Sequence, residues 1–137
     1  MDKFTLDKRL EHDSIFIKKL KISNLYLMND ANYPWFILVP VKSNISEIFE
    51  LELAEQNLLM SEITAIAKMI KLHFKADKIN VAALGNMVKQ LHIHIIARYY
   101  DDLAFPDTVW GKFPAKAYNA EEIAKLKEIF TAKFSAM

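Results

Sequence analysis

The sequence predicts an α+β fold in which one long helix packs on an antiparallel sheet. Three observations support this: several short segments rich in β-branched and aromatic residues, one long segment with helical periodicity, and no regular strand-helix alternation of the kind that builds parallel sheets. With 137 residues, 53% of them hydrophobic, the chain has the size of one domain. We therefore expect a single domain over 1–137, with its motif-bearing core at about 14–102 and a C-terminal loop and helix at 103–137.

The first three strands are predicted from the N-terminal third of the chain. Residues 14–29 contain many β-branched and aromatic side chains in partial alternation, which predicts two strands joined by a turn around Asn24. Turn-forming residues follow, and then the apolar run 35–39, which ends at Pro40. A short apolar run that stops at a proline is typical of a buried strand.

Two further strands are predicted after the long helix. Residues 79–84 form a short apolar segment that ends at Gly85, and residues 90–99 alternate polar and apolar side chains before turning fully apolar. Both segments have the length and composition of strands.

Two helices are predicted from periodicity and capping residues. Between residues 53 and 74, apolar side chains recur at steps of three and four with no proline or glycine among them, which predicts the long helix. Residues 120–134 form the second helix, with Asn119 as its N-cap. Glu121 and Glu122 are placed favourably in its first turn, where the helix dipole stabilises negative charge.

Composition excludes several classes of function. The 18 basic and 17 acidic residues leave a net charge of +1, so no long-range field gathers polyanions, and nucleic acid is not expected as a partner. The absence of cysteine excludes disulfides, thiolate metal sites and thiol nucleophiles. Only two glycines, Gly85 and Gly111, are present, too few for the glycine-rich phosphate loops of P-loop or Rossmann proteins.

The sequence shows no membrane or export signal. Charged residues occupy the N-terminus where a signal peptide has its apolar run, and no segment approaches the roughly 20 apolar residues of a membrane span. We therefore expect a cytoplasmic protein with no membrane partner.

The most informative pattern is the alternation of Gln90, His92 and His94 with apolar residues. Side chains two residues apart share one face of a strand, with Cα atoms about 6–7 Å apart, which suits successive oxygens of a phosphate chain. With a pKa of about 6.5, histidine supplies both a neutral nucleophile and a protonated donor near neutral pH. One imidazole can therefore attack phosphorus while the other stabilises charge. The opposite face, which packs on the core, carries Leu91, Ile93 and Ile95.

Two other interpretations of the paired histidines remain open. Both side chains can be structural, or both can bind one metal ion from the same side of the strand. A zinc site needs a third or fourth ligand, and the remaining histidines, His12 and His73, lie in a charged stretch and on the long helix. We expect both of them at the surface, and no bound metal.

The segment 85–96, in which histidine alternates with apolar residues after a glycine-containing loop, resembles the motif of the histidine triad (HIT) family. Residues 27–40 are similar to the family's ribose-binding strand and turn, and the resemblance covers about 25–102 in all. Residues 101–111 look like those of a bacterial subgroup of small HIT proteins often described as diadenosine polyphosphate hydrolases. The resemblance implies a HIT-like antiparallel sheet and a homodimer in which two sheets join.

The resemblance also implies an activity and the roles of individual residues. The expected reaction is hydrolysis of a purine nucleotide conjugate, a dinucleoside polyphosphate or nucleoside phosphoramidate, at the α-phosphorus through a nucleotidyl-histidine, without a cofactor. His92 matches the nucleophile, His94 the histidine that binds the phosphate, and Gly85 and Asn86 a loop that donates hydrogen bonds to it. Asp30, or Asn29, matches the group that holds the ribose. Other positions of the expected nucleotide site are Asn80, which faces ribose and phosphate, and Met87 in the loop.

Three residues depart from the family pattern. Gln90 stands at the first histidine and can orient a substrate but not carry a proton. Met87 replaces a frequent serine, and Trp35 replaces a histidine common after the proline-containing turn. These departures favour weak catalysis or a changed leaving group. The alternatives are a nucleotide-binding regulatory protein with little turnover and a metal-dependent hydrolase.

Four further side chains have more than one interpretation. Trp110, in a loop after the sheet, either closes over a base, packs at a dimer contact or anchors its loop. Arg98 reaches either phosphate or an acidic neighbour such as Asp101. Ile22 and Leu27 are placed to sandwich the base, although core packing is the expectation we favour for both.

Overall fold

The structure, a computed structural model, describes residues 3–134, so the outermost residues of the predicted domain 1–137 lie outside it. Five strands form one fully antiparallel sheet in the order β1-β2-β3-β5-β4. The sheet and its helices confirm the predicted α+β fold. The strands are β1 (Ser14–Lys19), β2 (Ser23–Met28), β3 (Trp35–Pro40), β4 (Lys78–Ala82) and β5 (Ile93–Arg98). The helices are α1 (Lys8–Asp13), α2 (Leu53–His73) and α3 (Ala120–Phe134).

The helices follow their local sequence signals. Helix α2 begins after a capping box in which Glu52 and Glu55 each accept a backbone N–H of the other. Helix α3 has the predicted N-cap, because Asn119 accepts from the Glu122 N–H while Glu122 accepts from the Asn119 N–H, which satisfies two otherwise unpaired donors. Helix α1, with six residues, was not predicted. Within residues 3–134, no helix is both long and apolar enough to cross a bilayer.

Two predicted boundaries need correction. The turn between the first two strands lies at residues 20–22, where Leu20 N–H donates to the Ser23 carbonyl, and Asn24 lies inside β2. Two backbone N–H groups beside this turn, including that of Ile22, donate to the buried Glu62 of α2, so a helix side chain fixes its position. Strand β5 begins at Ile93 rather than at residue 90.

Two hydrophobic clusters lie on opposite faces of the sheet. The larger one lies between the sheet and α2 and takes in Leu91, Ile93 and Ile95, the predicted core face of the motif. Ile22 and Leu27 belong to the same cluster, so their role is core packing rather than base binding. The smaller cluster covers the other face with side chains from α1, β2, β3, β5 and the loops around them: Leu10, Tyr26, Tyr33, Trp35, Ile37, Val39, Val88, Ile96, Ala104 and Val109.

Candidate active site

His92 and His94 project from the face of the sheet that carries the smaller cluster. His94 lies in β5, opposite Ile37 of β3 and Ala82 of β4, and His92 lies just before the strand. Their ring centroids are 4.9 Å apart, as the alternating pattern predicts. Both residues are buried, with 7% of the surface of His92 and 4% of that of His94 exposed.

The backbone fixes the tautomer of His92. Its Nδ1 lies 2.7 Å from the Gln90 carbonyl oxygen, and a carbonyl oxygen only accepts hydrogen bonds. The proton of the neutral ring is therefore on Nδ1, where it is donated to Gln90. Consequently Nε2 has a free lone pair, which is the form that a nucleophilic imidazole needs.

Trp35 fixes the opposite tautomer in His94. The indole Nε1–H, which only donates, lies 3.0 Å from Nδ1 of His94, so the proton of the neutral ring is on Nε2. Burial, and to a lesser extent electrostatic repulsion between its protonated form and the neighbouring His92, lower the pKa of His94 to about 3, so the His94 ring is neutral at pH 7. The sequence predicts a protonated donor beside the nucleophile, whereas the structure provides a neutral N–H donor.

The two histidines lie in a cleft of about 460 Å³. Trp110 stands beside this cleft, with its ring 5.1 Å from that of His94 and 5.9 Å from that of Trp35. Trp110 therefore packs against the site itself and also closes one side of the cleft. The remaining lining residues that bear on function are Arg9, Asp13, Met28, Gly85, Asn86 and Met87.

The loop that follows β4 is the third part of the cleft wall. Gly85 has φ +70°, a conformation that glycine adopts without the steric cost of a Cβ atom. Asn86 and Met87 follow it and are exposed, so backbone and amide groups of the loop are accessible to a ligand. Met87 lines the same cleft as the histidines, but its side chain has no hydrogen-bond donor.

A second cavity of about 450 Å³ adjoins this cleft and shares Met28, Trp35 and Trp110 with it. Asn29 and Asp30 line the second cavity. Both also hold the segment that precedes α3. Oδ1 of Asp30 accepts from the backbone N–H groups of Asn32 and Lys116, and the side-chain oxygen of Asn29 accepts from the Tyr118 N–H.

The side chains of Gln90 and Asn80 form no hydrogen bond to the histidines, although Gln90 lines a smaller cavity of about 290 Å³ with His92 and Gly85. The Gln90 amide accepts from the Asp7 N–H at 2.8 Å and donates to the Thr5 carbonyl at 2.9 Å. The Asn80 side chain accepts from Arg98 at 2.8 Å. Of the predicted site residues, His92, His94, Gly85, Asn86 and Met87 share one cleft, and Asn29 and Asp30 line the adjoining one.

Arg98 contacts neither the cleft nor Asp101. It is 1% exposed and makes a two-point ion pair with Asp102, at 2.9 and 3.0 Å. A further bond goes from Arg98 to the Asp107 carbonyl at 2.8 Å, and its guanidinium lies near the rings of Tyr33 and Phe105. Arg98 therefore ties the segment after β5, which carries Trp110, to the sheet.

Sequence reasoning missed the contribution of the N-terminus. Arg9 and Asp13 of α1 line the cleft, but α1 has too few residues for a periodic pattern. The sequence signal for the start of α1 is Asp7, an N-cap residue whose side chain accepts a hydrogen bond from the Arg9 N–H. Trp35 was identified only as a departure, and its hydrogen bond to His94 depends on pairing between β3 and β5.

No cluster of three or more histidine, aspartate or glutamate side chains suited to a metal ion occurs in the part of the chain that the structure describes. His12 and His73 are exposed, as expected. His12 pairs with its neighbour Asp13 at 2.8 Å, and the His12 side chain is 87% exposed. Neither histidine reaches His92 or His94.

The Trp35 hydrogen bond can be tested without an activity assay. In the wild type we expect ¹⁵N NMR to show His94 as the Nε2–H tautomer, unchanged between pH 5 and 8 because its pKa lies at about 3. Trp35→Phe removes the indole donor, and we expect a mixture of the two tautomers. Trp110→Phe is the matched control, since Trp110 contacts the same ring edge-on. A Trp35→Phe spectrum identical to that of the wild type would contradict the assignment.

Known proteins share both the sequence motif and the fold. The family model described as HIT domain matches residues 9–101. A histidine triad protein from Marinobacter aquaeolei VT8 superposes with a TM-score of 0.95 at 42% identity over 98% of both chains. One from Sinorhizobium meliloti 1021 gives 0.93 at 42% identity, covering 96% of this chain and 97% of that one.

A curated relative is the bis(5'-adenosyl)-triphosphatase of Saccharomyces cerevisiae, with 34% identity over 68 residues. The match covers 46% of this chain and 33% of the yeast protein, so this chain aligns with about a third of that relative's length. The diadenosine triphosphate hydrolase of Plasmodium falciparum shares the fold, with a TM-score of 0.62 at 19% identity.

Proposed function

This chain belongs to the HIT domain family, and we propose that it is a nucleotide hydrolase that cleaves a purine nucleotide conjugate at the α-phosphorus. The substrate is a dinucleoside polyphosphate or a nucleoside phosphoramidate, and the reaction passes through a nucleotidyl-histidine. The observation that carries the proposal is the pair of opposite tautomers, because it places a free lone pair beside an N–H donor.

In the first step, Nε2 of His92 attacks the α-phosphorus, a P–N bond forms, and the bond to the leaving group breaks with its electron pair. A phosphate leaving group departs as the anion, whereas an amine leaving group takes up a proton from solvent. The positive charge of the modified ring is shared with Nδ1–H, which the Gln90 carbonyl stabilises. In the second step, water attacks the same phosphorus and the electron pair of the P–N bond returns to Nε2. The nucleoside monophosphate leaves and one proton passes to solvent.

His94 and the loop after β4 stabilise the charge that develops on the phosphate oxygens. The Nε2–H of His94 and the donors of Gly85 and Asn86 face the cleft. Because these groups are fixed by the fold before the substrate arrives, they need little reorganisation during the reaction. His94 takes up no second proton at pH 7, because its pKa is lowered to about 3, so the neutral ring acts as a hydrogen-bond donor rather than as a base.

The adjoining cavity takes the nucleoside. Asp30 and Asn29 bind the ribose hydroxyls there, while Met28 and Trp110 supply apolar surface for the base. The two cavities, at about 450 and 460 Å³, fall in the size range of small-ligand sites. Asn80 acts indirectly, by accepting a hydrogen bond from Arg98.

Assembly and location form part of the same proposal. We expect a cytoplasmic homodimer that acts on a small nucleotide conjugate and not on nucleic acid, since the net charge is only +1. Light scattering coupled to gel filtration measures the dimer directly, and a monomer at micromolar concentration would contradict it.

The reaction is tested with diadenosine triphosphate and adenosine 5'-phosphoramidate, with chromatographic detection of AMP. We expect the wild type to release AMP from at least one of them, with equal rates in the presence and absence of a chelator. Turnover that the chelator abolishes would instead support a metal-dependent hydrolase.

A second function is favoured by one observation, the commitment of the Gln90 amide to backbone groups of the N-terminal segment. With no proton donor at this position, the protein retains a nucleotide pocket with little turnover and acts as a nucleotide-binding regulatory protein. Nucleotide binding with no AMP release from either substrate would establish this function and exclude the hydrolase.

A further inference from the structure

The N-terminal arm, defined here as residues 3–13, is fastened to the motif by one side chain. Gln90 Oε1 accepts from the Asp7 N–H and Gln90 Nε2 donates to the Thr5 carbonyl. The oxygen and the nitrogen of the Gln90 amide therefore each form a hydrogen bond with the arm. We call these two hydrogen bonds of Gln90 the clamp. Thr5 and Asp7 precede the range 9–101 matched by the family model, so the clamp joins a motif position to residues outside that range.

Beyond the clamp, one hydrogen bond caps α1 and two further contacts hold the helix against the sheet. The Asp7 side chain caps the helix through the Arg9 N–H. Leu10 is 5% exposed and packs in the smaller cluster. At the other end, the Asp13 carbonyl accepts from the Asn29 N–H at 3.0 Å. With these contacts, α1 has one fixed orientation relative to His92.

This orientation makes Arg9 part of the cleft wall, together with His92 and His94. Among the described residues that line this cleft and the adjoining one, Arg9 is the only arginine or lysine. Its guanidinium forms no hydrogen bond or ion pair within residues 3–134. A cation with no partner among the described residues, beside two histidines that can act on a phosphate, is available to bind an anionic ligand.

We propose that Arg9 binds the phosphates of the leaving group and that Gln90 positions Arg9 by clamping the N-terminal arm. The inference rests on the proposed function and names its substrate class: nucleotides joined to further phosphates by an anhydride bond, rather than phosphoramidates. When the bond from the α-phosphorus to its bridging oxygen breaks, the electron pair leaves with a phosphate anion, and Arg9 stabilises that charge.

The same arrangement disfavours amine leaving groups. When a P–N bond to an amine breaks, the departing nitrogen must gain a proton, which a protonated side chain near it supplies. The Gln90 amide has no acidic proton, and its N–H already donates to Thr5. A phosphate leaving group departs as a stable anion without protonation, so the substitution of glutamine for the first histidine has little cost for such substrates.

The proposal is tested by the ratio of kcat/KM for diadenosine triphosphate to that for adenosine 5'-phosphoramidate. Arg9→Gln should lower this ratio about tenfold, the scale of one lost charge-assisted hydrogen bond. Lys8→Gln is the matched control, because it removes the same charge from the exposed neighbouring position of α1. An unchanged ratio in Arg9→Gln, or an equal decrease in Lys8→Gln, would overturn the proposal.

A binding measurement keeps this test independent of turnover. If the wild type releases no AMP, the hydrolase fails, but calorimetry with ATP and AMP still tests Arg9. We expect the preference for ATP over AMP to fall about tenfold in Arg9→Gln. Equal preferences in both proteins would overturn the assignment of Arg9 alone, and no binding of either nucleotide to the wild type would overturn both proposals.

Gln90→Met tests the positioning role, because methionine keeps the length of the side chain and forms neither hydrogen bond to the arm. We expect the same fall in ATP preference as in Arg9→Gln, with no further fall in the double variant, since both changes remove one interaction. Additive effects would show that Gln90 does not act through Arg9. Circular dichroism confirms that each variant is folded before the comparison.

Discussion

Replacement of His92 with asparagine is expected to lower kcat/KM for diadenosine triphosphate by at least about 10⁴-fold, the scale on which loss of a catalytic nucleophile acts. Asparagine keeps a polar side chain in the cleft but offers no nitrogen lone pair to the α-phosphorus. Rapid-quench experiments with substrate labelled at that phosphorus measure the first step directly. Label should transfer to the wild-type protein and not to His92→Asn.

A matched control for this variant is His73→Ala, which removes an exposed histidine from the last turn of α2. We expect it to retain the wild-type rate. If His92→Asn kept activity within tenfold of the wild type, or carried the label, His92 would not be the nucleophile and the proposed reaction would be wrong.

Replacement of Arg98 with methionine is expected to lower the free energy of unfolding by about 3–5 kcal/mol, the usual cost of removing one partner of a buried ion pair. The Asp102 side chain, 5% exposed, would remain charged without its cation. The side chain of Asn80 and the Asp107 carbonyl would each lose a donor. Urea titration measures the change, and the melting temperature should fall by roughly 10–20 °C.

The exposed ion pair of Lys42 and Glu55 provides the control for this prediction. The Lys42 side chain is 46% exposed, and exposed pairs contribute about 0–1 kcal/mol. Lys42→Met should therefore leave the free energy of unfolding within about 1 kcal/mol of the wild type. A similarly small change in Arg98→Met would show that the buried pair does not hold the segment after β5. Trp110 fluorescence reports whether that segment loosens.

The buried ion pair of Arg98 and Asp102 also predicts that the free energy of unfolding depends on pH. Burial opposes ionisation of Asp102, but hydrogen bonds from Arg98 and from the Tyr99 and Phe105 N–H groups outweigh it and lower its pKa to about 2. A carboxyl with a lower pKa in the folded state stabilises the fold above its unfolded pKa of 3.8. This contribution should disappear as the pH falls from about 4 to 2, and more steeply in the wild type than in Asp102→Asn.

The sequence by itself determined that five strands and the two longer helices form and which faces they bury, because these depend on neighbours a few residues apart. The α2 periodicity, the Asn119 cap of α3 and the placement of His92 and His94 on one face of the sheet were all predictable in this way. The resemblance of the motif to the HIT family is equally local, and the fold agrees with it.

Only the tertiary structure decided the tautomer of His94 and the charged group beside the histidines. Trp35 and His94 are 59 positions apart, and Gln90 and Asp7 are 83 apart, so no local pattern connects them. Strand pairing brings Trp35 to His94, and packing of α1 brings Arg9 to the cleft. The tautomer of His94 and the charge beside the histidines are set by these long-range contacts, whereas the tautomer of His92 depends on the Gln90 carbonyl only two positions away.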